Sequence, residues 1–252
     1  MRPCDSCDCD VPLDFAIAMA YQPIVDVENE SIFAHEALVR GPNEEGAWQI
    51  LSRVTDENRY SFDQTCRTTA IRIASELGCK ERLSINFLPN AVYEPEACLQ
   101  FTLRAAKKYA FPREKIIFEV TEHERVDSEK IVEIFRTYQT KGFLTAIDDF
   151  GEGFAGLNLL AQFQPDILKL DMLLIRNIHK ETAKQAILKG IVLTAQLLGI
   201  TVLAEGVETR EEFEYLKAQG IRYMQGYFLA RPQFMQLAKI EDILKNIHDH
   251  KA

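Results

Sequence analysis

Two apolar runs open the chain, and each carries polar residues at intervals. The runs are AYQPIVD (20–26) and SIFAHEALVR (31–40), and the polar stretch VENE (27–30) separates them. Two apolar runs joined by a short polar connection are typical of an antiparallel hairpin. We therefore predict that the fold begins with two antiparallel strands.

Beyond residue 40, helical and strand-like patterns alternate. Apolar residues with the helical period occupy 47–60, 62–78, 96–110, 128–142, 157–163, a long segment ending in AQLLG (195–199), and 210–220. Compact apolar runs typical of strands are RLSINF (82–87), KIIFEV (115–120), FLTAI (143–147), DILKLD (166–171), ITVLAEG (200–206) and IRYMQG (221–226). Alternation of this kind implies a parallel sheet.

Eight strands in 252 residues fit a closed barrel better than an open sheet. The predicted fold class is α/β, a (β/α)8 TIM-type barrel modified by an antiparallel first strand. No Pro/Gly-rich linker or internal repeat divides the chain. We expect an irregular head rich in Cys and Asp over residues 1–14, followed by one domain over residues 15–252.

The overall charge narrows the classes of partner. A formal net charge of −9 argues against binding of a long nucleic acid, which depends on lysines and arginines. A small anionic ligand bound through cations remains open. The chain has no apolar run of the roughly 18 to 20 residues that a membrane span needs, and its acidic start is unlike a signal peptide. We expect no membrane contact and a cytoplasmic location.

The six cysteines suit reducing conditions, and only Cys4, Cys7 and Cys9 are clustered. These three could bind a thiophilic metal or sense oxidation, or they could be incidental thiols in an acidic tail. We prefer the acidic tail because a closed zinc site needs four ligands at characteristic spacing.

The stretch FLTAIDDFGEGFAGL (143–157) allows two interpretations. Its three glycines follow a predicted strand, as in a dinucleotide-binding turn, and Asp171 ends the next strand, where a ribose-binding acid would lie. However, Asp148 and Asp149 would set two carboxylates beside the pyrophosphate, and the helix after the glycines is short. We therefore prefer a metal site at the end of this strand.

Polar side chains end nearly every predicted strand. They are Glu36, Asn86, Glu119, Asp148 and Asp149, Lys169 and Asp171, Glu205, and Gln225. Each one alone has a structural explanation, such as a turn cap or a solvated acid, although a lysine within an apolar strand is rarely buried without a partner. Strand ends meet at one rim of a barrel, and converging carboxylates repel one another unless cations neutralise them. Oxygen ligands favour Mg²⁺ or Mn²⁺, and adjacent aspartates suit two ions about 3.5 to 4 Å apart, as in phosphoester hydrolysis.

These motifs resemble the EAL-domain cyclic di-GMP phosphodiesterases. The resemblance covers residues 20 to 232 and rests on YQPIVD, EALVR, SIN, FEVTE, AIDDFG, LKLD, AEGVET and QGYFLARP, in that order. It implies a modified (β/α)8 barrel over residues 15–252 with an antiparallel first strand. It also implies hydrolysis of cyclic di-GMP to linear pGpG by two Mg²⁺ or Mn²⁺ ions, with Ca²⁺ as an inhibitor.

The resemblance also implies a role for individual residues. One ion would be held by Glu36, Asn86, Glu119 and Asp148, and Asp148 would bridge to a second ion that Asp149 also serves. Glu205 would bind that second ion or act as general base, and Lys169 would contact the catalytic water. Substrate would meet Gln22, Leu38, Arg40 and Pro232. Supporting residues would be Glu122, Asp171, Glu208 and Gln225.

Regulation is less well specified by the resemblance. Family members use the loop after the aspartates to control dimerisation and metal occupancy, so a homodimer is expected, and a regulatory protein partner is a further option. Here Ala155 stands where many members have a hydroxyl that anchors the loop to the residue matching Glu122. The alternative function is a cyclic di-GMP receptor or protein-interaction module of weak activity. Such receptors usually lack one or more residues of the metal-binding set. This sequence contains the whole set, which favours an enzyme.

Overall fold

The computed structural model describes residues 13–121, 128–151 and 156–249. The predicted hairpin is present: β1 (Ala18–Asp26) runs antiparallel to β2 (Ser31–Arg40), and Gln22 pairs with Glu36. The carboxylate of Asp26 closes the turn between them, since its Oδ1 accepts hydrogen bonds from the backbone N–H groups of residues 28 and 29.

Six parallel strands follow the hairpin. They are β3 (Arg82–Asn86), β4 (Ile116–Thr121), β5 (Leu144–Phe150), β6 (Ile167–Leu170), β7 (Thr201–Ala204) and β8 (Tyr223–Met224). Each of the strands β2 to β7 pairs with the next along the chain, and β8 pairs antiparallel with β1, so the ring of eight closes. A further strand, β9 (Gln233–Phe234), pairs with the first half of β1. The predicted barrel with an antiparallel first strand is confirmed.

Helices separate the parallel strands. Those in the described part of the chain are α1 (Ala47–Leu51), α2 (Arg59–Glu76), α3 (Pro95–Lys108), α4 (Ser128–Thr140), α5 (Gly156–Gln162), α6 (Met172–Ile175), α7 (Thr182–Leu198), α8 (Arg210–Ala218) and α9 (Ile240–His248). None of these described helices is long and apolar enough to cross a membrane.

The prediction of one helix over 47–60 is wrong, because α1 ends at Leu51. Asn58 holds a turn instead: its Oδ1 accepts from the N–H of Thr55 at 2.8 Å and its Nδ2 donates to the carbonyl of Arg53 at 3.0 Å. Side-chain bonds of this kind compete with the helical pattern of backbone bonds. Three further elements were not predicted from the sequence: the four-residue α6, the two-residue β9 and the C-terminal α9.

An apolar layer fills the barrel directly beneath its polar rim. Its buried members are Ile24, Ala34, Ile117, Ala146, Ile167 and Leu203. Strand residues two apart lie on the same face, and the residue two positions nearer the rim is polar in all six cases. These polar residues are Gln22, Glu36, Glu119, Asp148, Lys169 and Glu205. The alternation of side chains along the strands therefore places polar and charged groups at the rim, directly above a buried apolar layer.

An ion pair joins the hairpin turn to β8 where the ring closes. Arg222 Nε lies 2.9 Å from Asp26 Oδ1, and Arg222 Nη2 lies 2.6 Å from Asp26 Oδ2. These bonds hold the pKa of Asp26 below its usual range. A carboxyl group with a depressed pKa contributes stability above its unfolded-state pKa, and that contribution is lost as the pH falls.

We predict that Asp26→Asn lowers the urea midpoint of unfolding at pH 7 and that the difference from the unsubstituted protein shrinks below about pH 4. The matched control is Asp242→Asn, which removes an exposed pair with Lys245 on α9 and should change the midpoint little. Urea unfolding from pH 7 to pH 3 checks both. Equal midpoints for the two variants at pH 7 would contradict the role of the ion pair.

Candidate metal centre and active site

The polar side chains predicted at the strand ends meet at the C-terminal rim. They are Glu36 on β2, Asn86 on β3, Glu119 on β4, Asp148 and Asp149 on β5, Lys169 on β6, Glu205 just after β7 and Gln225 just after β8. Their contacts divide them into a central charged cluster and a set of amides and hydroxyls that orient it.

Lys169 is the centre of the charged cluster. Its Nζ lies 2.7 Å from Glu205 Oε1, 2.9 Å from Glu119 Oε2 and 3.1 Å from Asp148 Oδ1. Glu36 Oε2 is 3.8 Å away. The lysine side chain is only 1% exposed. Four carboxylates from four strands therefore share a single buried ammonium.

The cluster has more negative charge than one ammonium neutralises. Burial raises the pKa of Glu119 to about 8, with Lys169 opposing this effect and Glu36 and Asp148 adding to it. Burial and the charge of Asp148 also hold the pKa of Glu205 well above its usual range. A nearby cation favours the ionised form of such groups. The surplus of buried carboxylates therefore fits a site for further cations.

The ligand atoms fall into two groups, each with mutual distances within 4.8 Å. One group is Glu36, Glu119 and Asp148, and the other is Asp148, Asp149 and Glu205. Because Asp148 belongs to both, the geometry suits two adjacent ions that share one carboxylate. All the donors are oxygens, which suits Mg²⁺ or Mn²⁺. The residues present thus fit the two ions expected from the sequence.

An unusual backbone conformation brings the two aspartates together. Consecutive residues in a regular strand point to opposite faces. Asp149 has a φ of 53°, in the left-handed region, and the pairing of β5 with β6 shifts register between Ile147 and Phe150. The Asp149 N–H donates to Asp148 Oδ1 at 3.0 Å. The irregularity thus turns the second carboxylate towards the first, at some cost in backbone strain.

Amide and hydroxyl groups orient the acidic ligands. Asn86 Nδ2 donates to Glu36 Oε1 at 3.0 Å, and Gln225 Nε2 donates to Glu36 Oε2 at 2.8 Å. Ser84 Oγ donates to Glu119 Oε1. The sequence interpretation did not assign Ser84 a role, although it lies two residues before Asn86 and so shares its face of β3.

The predicted substrate residues lie around the rim at different places. Gln22 lines a groove of about 280 Å³ with Glu205 and Gln225, and its Nε2 donates to the carbonyl of Ala230. Pro232 comes directly before β9, in which Gln233 pairs with Tyr21 of β1. The antiparallel register therefore brings Pro232 next to Gln22.

Two further predicted substrate residues lie along the second half of β2. Leu38 lines a separate apolar cavity of about 310 Å³ that also touches Asn86. Arg40 ends β2, where its Nη1 donates to the carbonyl of Val39.

Of the predicted supporting residues, Gln225 touches the charged cluster directly. Asp171 caps α6 by accepting from the N–H of Leu173 at 2.7 Å. Glu208 is exposed and pairs with Arg176 at 2.6 Å. Glu122 lies outside the described residues, as do Cys4, Cys7 and Cys9 of the head and Ala155 of the loop.

We predict that Mn²⁺ stabilises the folded protein, because the residues that bind the ion come together only in the folded state. An ion at about one hundred times its dissociation constant adds about 2.7 kcal/mol per site to the free energy of unfolding. Asp148→Asn should remove most of this gain, and Glu36→Gln should remove less, since Asp148 belongs to both ligand groups. Thermal unfolding with and without Mn²⁺ measures the effect.

The control for this experiment is Glu241→Gln, an exposed acid in the first turn of α9, which should respond to Mn²⁺ as the unsubstituted protein does. A melting temperature that Mn²⁺ leaves unchanged would argue that the rim holds no ion.

We predict that Ser84→Ala weakens Mn²⁺ binding about tenfold, because partners that orient a metal ligand contribute to metal affinity. The matched control is Ser75→Ala. The hydroxyl of Ser75 donates to the carbonyl of Tyr109 and does not contact the rim ligands. Calorimetric titration compares the three proteins. Unchanged Mn²⁺ affinity in Ser84→Ala would mean that its bond to Glu119 does not support the metal centre.

Comparison with known proteins gives this rim a context. The profile of the EAL domain matches residues 14–232. The blue light- and temperature-regulated antirepressor BluF of Escherichia coli is 37% identical over 225 residues, which are 88% of this chain and 55% of BluF. The probable cyclic di-GMP phosphodiesterase PdeN of the same bacterium is 28% identical over 226 residues, 85% of this chain and 43% of PdeN. The chain thus spans about half the length of these curated relatives.

Solved structures show the same fold. A standalone versatile EAL protein from Vibrio cholerae O395, in its c-di-GMP-bound form, superposes with a TM-score of 0.88 at 54% identity, over 90% of this chain and 96% of that protein. BlrP1 of Klebsiella pneumoniae, in a manganese and cy-diGMP complex, gives a TM-score of 0.83 at 34% identity, over 89% of this chain and 59% of BlrP1. The closed barrel, its acidic rim and a profile match over most of the sequence together show that this chain belongs to the EAL-domain family.

Proposed function

We propose that this chain hydrolyses one phosphodiester bond of cyclic di-GMP and releases linear pGpG. The observation that carries the proposal is the pair of oxygen ligand groups that share Asp148 beside the buried Lys169. Two adjacent ions bound in this way are the arrangement used for phosphoester hydrolysis. The reaction would lower the concentration of a bacterial second messenger.

The choice of substrate is supported by charge and by the relatives. A protein with a net charge of −9 needs local cations to attract a phosphodiester. The Vibrio protein has been solved with c-di-GMP, and BlrP1 with manganese and cy-diGMP. In this chain the groove beside the ligand groups contains Gln22 and Tyr227, and we assign Gln22, Leu38, Arg40 and Pro232 to substrate contact.

The rim residues would divide the work of hydrolysis. Bound Mg²⁺ or Mn²⁺ supplies charge neutralisation and a water of lowered pKa. We assign one ion to Glu36, Asn86, Glu119 and Asp148, and the other to Asp148, Asp149 and Glu205.

Lys169 holds the carboxylates around it in place, among them the two assigned to the second ion. Its Nζ lies 2.7 Å from Glu205 Oε1 and 3.1 Å from Asp148 Oδ1. The same ammonium can donate a hydrogen bond to the attacking water and so orient it. Glu205 lies beside Asp148 and Asp149 at the proposed second ion and close to Lys169, so its carboxylate is placed to accept the proton that a water held there loses.

A second candidate function is binding without hydrolysis. It is favoured by the similarity to BluF, which is named an antirepressor. In that case the chain would recognise cyclic di-GMP, or a protein partner, and the rim would not complete the reaction. The presence of every predicted ligand at the rim favours the enzyme.

We also propose that the chain forms a homodimer. Helix α7 presents exposed apolar side chains, among them Ile187, Leu193 and Leu197, and Leu197 is 78% exposed. Leu193 and Leu197 lie one helical turn apart, and neighbouring exposed apolar side chains of this kind suit an interaction site. A regulatory protein partner is an alternative occupant of the same surface.

We predict that the pure protein converts cyclic di-GMP to pGpG with Mg²⁺ or Mn²⁺ and that a chelator abolishes the reaction. Ca²⁺ should inhibit, because it accepts a looser and higher coordination that misplaces the water. Chromatography of the nucleotides after incubation measures the product. Tight binding of cyclic di-GMP without pGpG under either ion would favour the binding module, and full activity in Ca²⁺ alone would contradict the mechanism.

We predict that Lys169→Ala lowers kcat by a factor of about 100 or more and leaves the affinity for cyclic di-GMP nearly unchanged, because a group that acts on the water stabilises the transition state selectively. The control is Lys245→Ala, an exposed lysine on α9. Steady-state kinetics in Mn²⁺ and equilibrium binding in Ca²⁺ separate the two effects. Weaker binding with unchanged kcat would identify Lys169 as a structural residue.

A further inference from the structure

A second cluster of metal-binding side chains lies away from the acidic rim. In the described part of the chain, His35, Cys79 and Glu81 each offer a ligand atom, and these atoms lie within 4.8 Å of one another. His35 is on β2, beside Glu36, whereas the other two residues lie in the connection from α2 to β3. Because neighbouring strand residues face opposite sides, Glu36 points into the barrel and His35 points to the outer face of its wall.

The imidazole of His35 is buried without adequate polar partners. The residue is 1% exposed, and its Nδ1 has no hydrogen-bond partner among the described residues. Its Nε2 faces Glu81 Oε2 at 3.8 Å, which is too far for a hydrogen bond. A buried polar ring without hydrogen bonds costs free energy, and a cation bound at Nε2, the nitrogen that faces Glu81, would offset part of that cost.

The spacing of the three ligands suits a tetrahedral ion. Bonds of about 2.0 to 2.3 Å to zinc place neighbouring ligand atoms of a tetrahedron about 3.3 to 3.7 Å apart. Cys79 Sγ lies 3.7 Å from Glu81 Oε2, and His35 Nε2 lies 3.8 Å from the same oxygen. The His35 and Cys79 ligand atoms also lie within 4.8 Å of each other, so a contraction of at most about 1.5 Å along that edge would close the site around an ion.

The backbone already holds Cys79 and Glu81 in place. Gly78 has a φ of 76° after the end of α2, and the N–H of Cys79 bonds to the carbonyl of Ala74 at 2.9 Å, as in a Schellman cap. The backbone N–H of Lys80 donates to Glu81 Oε2 at 3.0 Å and orients that carboxylate. Partners that orient ligands in this way are typical of metal sites.

We propose that His35, Cys79 and Glu81 bind Zn²⁺, or a similar borderline divalent ion, on the outer face of the barrel wall. One thiolate, one imidazole and one carboxylate are donors that select such ions over Mg²⁺ and Mn²⁺. The two negative ligands balance the charge of the ion. A water completes the tetrahedron, since the Glu81 side chain is one-third exposed. This site is independent of the proposed hydrolysis and chemically distinct from the oxygen ligands of the rim.

Cobalt binding to the full-length, untagged and reduced chain tests the proposal. Co²⁺ replaces Zn²⁺ and gives a thiolate-to-metal charge-transfer band that oxygen ligands cannot produce, and saturating Mg²⁺ keeps the rim occupied. One equivalent of Co²⁺ should produce the band, and Zn²⁺ should abolish it. Cys79→Ser should lose the band. It should persist in the control Cys66→Ser, whose thiol is outside the cluster, and in the triple variant Cys4→Ser, Cys7→Ser, Cys9→Ser.

A second set of variants covers the case in which Cys79→Ser does not fold. Glu81→Gln changes a partly exposed side chain and should weaken Co²⁺ binding at least tenfold, whereas Glu57→Gln, an exposed acid, should not. No band in the unsubstituted chain, a band that survives in Cys79→Ser, a band lost in the triple variant, or equal Co²⁺ affinity in Glu81→Gln and Glu57→Gln would each overturn the proposal.

Discussion

One ammonium among buried carboxylates is the interaction on which the rim depends. Lys169 touches acids from four strands, and removing these acids from water is costly unless positive charge compensates them. The lysine supplies only one positive charge, so the cluster is stable as a set of anions only when cations join it. The same imbalance that would destabilise the folded protein is thus the driving force for metal binding.

The barrel can hold such a cluster because the inward-facing side chains of its strands change from apolar to polar within two residues. The apolar layer that includes Ile117, Ala146 and Ile167 excludes water from the interior. The next layer contains Glu119, Asp148 and Lys169, and strand alternation places each above its apolar counterpart. On β2 the alternation also separates two kinds of metal chemistry, with an oxygen ligand inside the barrel and His35 outside it.

Much of this arrangement follows from local sequence rules. Strands that alternate with helices predict a parallel barrel, and a polar residue at the end of each strand then predicts a shared rim. These rules fail where long-range contacts or side-chain hydrogen bonds determine the local backbone conformation. Asn58 ends the helical pattern of 47–60 early through its own hydrogen bonds.

Other features were unpredictable for different reasons. The left-handed conformation of Asp149, which unites the two aspartates, is an irregularity that strand periodicity does not contain. The cluster of His35, Cys79 and Glu81 joins residues more than forty positions apart. The three residues come together only because β3, which directly follows Cys79 and Glu81, pairs with β2, which carries His35.

We expect the rim to bind two ions that share the carboxylate of Asp148. Anomalous diffraction from crystals of the full chain grown with Mn²⁺ would reveal these ions. Two manganese peaks about 3.5 to 4 Å apart should appear, both in contact with the carboxylate of Asp148. A single peak, or two peaks of which only one touches Asp148, would contradict this expectation.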